Sequence, residues 1–119
     1  MTMQSLAEKT CVPCKGGTPP MGMDEINVFH PHVSDWKVVD GMKLSRSFRF
    51  KNFATALAFV NRIGAVAEEQ GHHPDICFGW GNVDVEVWTH KIDGLTESDF
   101  IFAAKVDVLS QSAEGIKTA

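Results

Sequence analysis

Between Asp35 and His90 the apolar residues change their spacing twice, and this switch limits the folds open to the chain. Leu44, Arg46, Phe48 and Phe50 alternate with Lys43, Ser45, Ser47 and Arg49, with Arg46 the one misfit. Period two means a strand with two unlike faces. After Asn52 the period lengthens, and Phe53, Ala56, Leu57, Val60 and Ala67 form one apolar helical face. It then returns to two, with Val83, Val85, Val87 and Thr89 opposed to Asp84, Glu86, Trp88 and His90.

Turn and cap residues set the boundaries. Asp40-Gly41 suits a tight hairpin between Asp35–Asp40 and Met42–Phe50. Asn52 is a natural N-cap for a helix to Gln70, and Gly71 a natural stop. Two further strands, Ile76–Trp80 and Val83–His90, join near Gly81-Asn82. A last helix runs from Glu97 to Ser110, with Thr96 as cap, Asp99 completing a variant capping box, and Ile101, Ala104 and Val108 as its buried stripe. Met23–Phe29 forms a short helix stopped by Pro31. Hairpins imply antiparallel pairing. The expected fold is therefore α+β and two-layered: a short N-terminal helix, then ββαββα, giving a four-stranded antiparallel sheet with helices on one face.

At 119 residues and 44% hydrophobic content the chain fits one domain with a real core, taken as residues 23–119. Residues 1–22 contain CVPCKGGTPPMG and read as a flexible leader. A net charge of −4 argues against binding a nucleic-acid backbone. No apolar run approaches the ~20 residues that span a bilayer, and the N-terminus lacks a signal-peptide stretch. Three cysteines, an odd number, suit a reducing compartment. The expectation is a cytoplasmic protein without membrane or nucleic-acid partners. Cys11-x-x-Cys14 invites a zinc or redox reading. Zinc needs about four ligands, and only Cys77 and the His30-Pro31-His32 pair remain as donors, so a loop is expected there.

The residues that carry chemistry are Glu68, His72, His73, Pro74, Trp80, His90 and Asp99, spaced E-x3-H-H-P-x5-W-x9-H-x8-D. His72 and His73 follow a helix end, where the dipole favours imidazolium. Glu68 lies one turn before His72 and is placed to orient an imidazole. Pro74 biases His73 toward extended backbone, so the two rings diverge. His90 arrives from a strand end. Histidine is the natural acid or base near neutral pH, and several imidazoles around one ligand meet the needs of a dehydration. Taken singly, each residue has an ordinary reading: a polar turn, a surface strand end, a solvated helix acid, a capping Asp99, core tryptophans at Trp36 and Trp80. Strict alternation also puts His90 on the face opposite the valine row, leaving it on the open face or at the rim. Only the joint pattern argues for a site.

That pattern resembles the signature of the pterin-4a-carbinolamine dehydratases in every element and gap. The resemblance extends upstream to Trp36 and to Phe48, Phe50 and Phe53, which match an F-x-F-x-x-F run opening the long helix. Leaders like CVPC-GG occur in bacterial members. The resemblance implies the α+β fold and loss of water from a 4a-hydroxytetrahydropterin to give quinonoid dihydropterin, with no metal or organic cofactor. It implies that His72 and His90 do acid/base work, that His73 sits against the pterin, and that Glu68 orients the cluster. Asp99 would position His90 or the ligand, with Trp36, Trp80 and Pro74 near the substrate. It further implies a homodimer or homotetramer, and a functional link to a pterin-dependent aromatic amino acid hydroxylase. Two rivals stand beside it. One is a weakly active or non-catalytic relative that binds a pterin, such as a molybdopterin-related one, or a protein partner. The other is a metalloprotein using His72, His73 and His90, although HH-x16-H is not a standard zinc spacing.

Overall fold

Asp40 and Gly41 both adopt positive φ, at 53° and 67°, as the central residues of a tight turn closed by the Met42 N–H on the Val39 carbonyl at 3.0 Å. They join β1 (Lys37–Val39) to β2 (Lys43–Phe50). This computed structural model describes residues 6–12 and 19–117. Upstream of the hairpin lies α1 (Met23–Phe29). Downstream, α2 (Phe53–Gln70) starts where the Asn52 side chain accepts from the Thr55 N–H, and stops at Gly71 in left-handed conformation, φ 64°. Then follow β3 (Asp75–Phe78), β4 (Asn82–Val87), α3 (Glu97–Gln111) and β5 (Ile116–Lys117).

The sheet is antiparallel throughout, in the order β1-β2-β4-β3, and β5 adds to the outer side of β2 beyond β1. The α+β class, the hairpins and the order of elements match the sequence reading; β5 is an addition to its four strands. Two residues were too short a signal to register as a strand.

Val83, Val85 and Val87 are fully buried and face α2 and α3. Phe59 closes over Phe48 and Phe50, with ring centroids 4.9 and 5.1 Å apart, and Trp36 meets Phe48 edge-on. The misfit Arg46 shares this inner face and pairs with Asp107 of α3, whose Oδ1 also accepts from Trp36 Nε1 at 2.8 Å. Burial pushes the Asp107 carboxyl up, while the bonds from Trp36 and Arg46 pull it down.

Three local expectations change. On α2 the buried ladder is Ala56, Phe59, Ile63 and Ala67, whereas Phe53 and Leu57 are exposed. On α3, Val108 is exposed, while Phe100, Phe102, Ala103 and Val106 join Ile101 and Ala104 inside. On α3 the cause lies in residues 6–12, which composition assigns to a loose leader, the third expectation to change. Leu6–Glu8 forms a 3-10 turn against α3, Leu6 and Cys11 are buried, and Lys105 Nζ donates to the Ala7 carbonyl at 2.7 Å. With the sheet on one side and this segment on another, α3 is covered almost all round. Cys14 lies outside the described residues.

Candidate active site

The site is built where two chain reversals meet at one rim of the sheet. The first follows α2. Gly71 turns the chain, the His72 N–H still bonds back to the Ala67 carbonyl, and Pro74 then starts an extended path into β3. The second follows β4, which ends at Val87, earlier than its alternation suggests. Thr89 then bridges to Gly94, and His90–Ile92 forms a 3-10 turn. His90 has thus left the strand before its side chain is placed. The choice between open face and rim is resolved in favour of the rim.

Between the two reversals lies a cavity of about 260 Å³ lined by Gly71, His72, His73, Trp88, Thr89, His90 and Lys91. Three of the five histidines of the chain face this space. The His90 ring meets the Trp88 ring edge-on, centroids 4.3 Å apart, and Lys43 Nζ stands over the same indole. One wall is therefore a flat aromatic surface beside imidazoles, a fit for a planar, nitrogen-rich ring.

His72 is held from behind. Its Nε2 lies 2.6 Å from Asp99 Oδ1, and Asp99 has no exposed surface. The other oxygen, Oδ2, accepts from Thr89 Oγ1 at 2.8 Å and from the Thr96 N–H at 2.9 Å. The carboxylate thus ties α3's first turn, the β4 end and the α2–β3 turn together. A carboxylate only accepts, so Nε2 carries a proton and Nδ1 is the nitrogen left for a ligand. Phe102 packs against the same imidazole, with ring centroids 6.0 Å apart. His73 Nε2 meets Glu68 Oε2 at 2.5 Å, with both side chains largely exposed.

The profile of the family described as "Pterin 4 alpha carbinolamine dehydratase" matches residues 19–109. The chain belongs to this family. A protein of Rubrobacter xylanophilus carrying that enzyme's name provisionally is 64% identical over 107 residues, which span 90% of this chain and all of the relative. One from Alkaliphilus metalliredigens, named in the same provisional way, is 54% identical over 88% of this chain and 96% of its own length. Among solved structures, a transcriptional coactivator/pterin dehydratase from Brucella melitensis aligns with a TM-score of 0.71 and 34% identity, covering 76% of this chain and 97% of that one. A pterin dehydratase-like protein identified as a RuBisCO assembly factor in the alpha-carboxysome aligns with a TM-score of 0.54 and 31% identity, covering 63% and 91%.

Two pairings depart from the sequence reading. Glu68 meets His73, one residue beyond the histidine expected from helical spacing, and Asp99 holds His72, where the resemblance implied that it positions His90 or the ligand. Gly71's left-handed turn swings His72 away from the α2 face that carries Glu68. Three expected substrate neighbours do not line the cavity. Trp36 is buried in the core with its indole N–H on Asp107, Trp80 is exposed on the β3–β4 turn, and Pro74 acts through the backbone it stiffens. Trp88 and Thr89 were not singled out from the sequence; Trp88's place two residues before His90 was the signal available. Among the described residues no group of three or more His, Cys, Asp or Glu is arranged to hold a metal ion.

Proposed function

We propose that this protein dehydrates a 4a-hydroxytetrahydropterin to the quinonoid dihydropterin in the cavity between the two reversals. The observation that carries this reading is the convergence of His72, His73 and His90 beside the Trp88 ring. In the reaction one proton goes to the 4a-hydroxyl, which leaves as water. The N5 proton is lost to a base, and a C4a–N5 double bond forms. His72 and His90 carry these two transfers. The buried Asp99 keeps His72 protonated at Nε2 and turns Nδ1 toward the substrate. His73, steadied by Glu68, lies against the pterin. Acid and base roles are assigned to the cluster and not to single residues.

We place this chemistry in tetrahydrobiopterin recycling beside a pterin-dependent hydroxylase, without a metal or organic cofactor, in the cytoplasm. No helix among the described residues is long and apolar enough to cross a membrane. A homodimer or homotetramer is supported by β3. It lies at the end of the strand order, and beside it the Phe53 and Phe78 rings pack tilted, centroids 5.5 Å apart, with Phe53 and Leu57 exposed.

A pterin-dependent hydroxylase generating the 4a-carbinolamine, with absorbance following its decay, tests the reading. Wild type should speed the decay, and the His73→Ala and His90→Ala variants should lose most of that gain. Decay at the spontaneous rate with the wild-type protein would favour the second reading, a binding or assembly protein, for which the likeness to the RuBisCO assembly factor is the supporting observation.

A further inference from the structure

We infer that residues 9–12 form a strap that positions the His72–Asp99 pair, with Gln70 and Ser98 as its two anchors. The inference rests on the reading of the cavity given above.

His72 and Asp99 come from elements that no short connection holds together: the end of α2 and the first turn of α3. Gln70 is the last residue of α2, two before His72, and Ser98 immediately precedes Asp99. The strap bonds to both. The Cys11 N–H donates to Gln70 Oε1 at 2.9 Å. The Val12 N–H donates to Ser98 Oγ at 2.9 Å, and the same hydroxyl donates back to the Val12 carbonyl at 3.1 Å. The Cys11 thiol donates to the Ser98 carbonyl at 3.5 Å. At the first residue of α3, Lys9 pairs with Glu97 at 2.9 Å. Two successive strap residues therefore bracket the two element ends whose side chains meet at the site.

The Ser98 anchor and the strap's Cys11 are built into the interior, 5% and 6% exposed, and Gln70 is half-buried. Neither Ser98 nor Gln70 lines the cavity, so neither touches a ligand there. Their effect runs through His72: a shift of α2's end against α3 stretches the bond to Asp99 and turns the imidazole. Side chains that do chemistry lose rate on displacements of this size, and the groups behind them fix the placement.

The test uses full-length Ser98→Ala, which removes the two-way hydroxyl, Ser98→Thr, which keeps it, and Gln70→Leu, which removes the Cys11 acceptor. Three quantities are read in each: the melting curve, the His72 imidazole nitrogen resonances, and kcat and KM in the carbinolamine assay. We expect Ser98→Ala and Gln70→Leu to move the His72 resonances while those of His30 and His32 stay put. We expect kcat to fall about tenfold with KM within about twofold. Ser98→Thr should restore both. Unmoved His72 resonances in folded Ser98→Ala and Gln70→Leu would overturn the strap, as would moved resonances with unchanged kcat. Should Ser98→Ala fail to fold, Gln70→Leu, at a partly exposed position, decides alone. A wild-type protein without activity would sink the dehydratase reading, while the His72 resonances would still judge the strap.

Discussion

His72 and His73 are neighbours in the chain, and each Nε2 meets a carboxylate at nearly the same distance, 2.6 and 2.5 Å. Their surroundings are opposite. The His72–Asp99 side chains are 14% and 0% exposed; those of His73 and Glu68 are 59% and 80% exposed. Distance alone would rank the pairs as equals. Burial separates them. Asp99 accepts from three groups on three parts of the chain, and water cannot replace any of them. Glu68 makes a contact that solvent and salt compete with freely. The inner pair is a fixed part of the scaffold, and in the outer pair His73 is an adjustable wall of the cavity.

This contrast can be broken most readily at Asp99. Asp99→Ala strips the capping bond from Thr96, leaves the buried Thr89 hydroxyl with the Thr96 hydroxyl alone, 3.1 Å away, and frees His72. Stability should fall by about 3 kcal/mol in urea unfolding, and carbinolamine turnover by about a hundredfold. A loss of activity no larger than that of Glu68→Gln would erase the distinction between the pairs.

The same inside-outside contrast recurs in the thiols. Burial pushes Cys11 up to about 11, with Asp99 adding to the rise and Lys105 opposing it, whereas Cys77 is exposed. At pH 8, alkylation of Cys11 should run about a hundredfold slower than that of an ordinary thiol, as read by peptide mass mapping with Cys77 as the internal reference. The raised value also sets a sign. The neutral thiol's contribution to stability is complete below 9.0 and is lost as pH rises through about 11. Equal labelling of the two thiols in the folded protein would contradict the packing of residues 6–12.

Thr89→Val sharpens the comparison by removing one of Asp99's three donors while keeping the shape. It should cost about 1–2 kcal/mol and a severalfold loss of kcat. Glu68→Gln should do least. Stability should stay within about 0.5 kcal/mol of wild type, and any change in activity should shrink as salt is added, a trend the Asp99 variant should not share.

The sheet and its order were legible because period two, Asp40-Gly41 and the capping residues act locally. What the sequence hid was long-range cover. Alanine is so frequent along α2 that more than one stripe reads as apolar. Phe59 and Ile63 won burial only because they face Phe48 and Phe50 and the helices' shared interior. α3 looked one-sided because residues 6–12, which cover part of it, carry Gly-Pro-rich composition just downstream. At the site, the histidines were readable from spacing, but their carboxylate partners were not. Helical spacing assigns Glu68 to His72 only if the helix continues, and Gly71 ends it. Asp99 showed its role as a capping acid, and its free oxygen's reach to His72 depends on how α3 docks. Trp36 is an aromatic that the core claimed, through Asp107.

The most direct test of the central claim uses the chain's own histidines as probes. Nitrogen resonances of all five imidazoles would be followed while a dihydropterin lacking the 4a-hydroxyl is added to the wild-type protein. The account predicts saturable shifts at His72, His73 and His90 and none at His30 and His32. Shifts confined to His30 and His32, or none at any imidazole while the pterin binds, would contradict it.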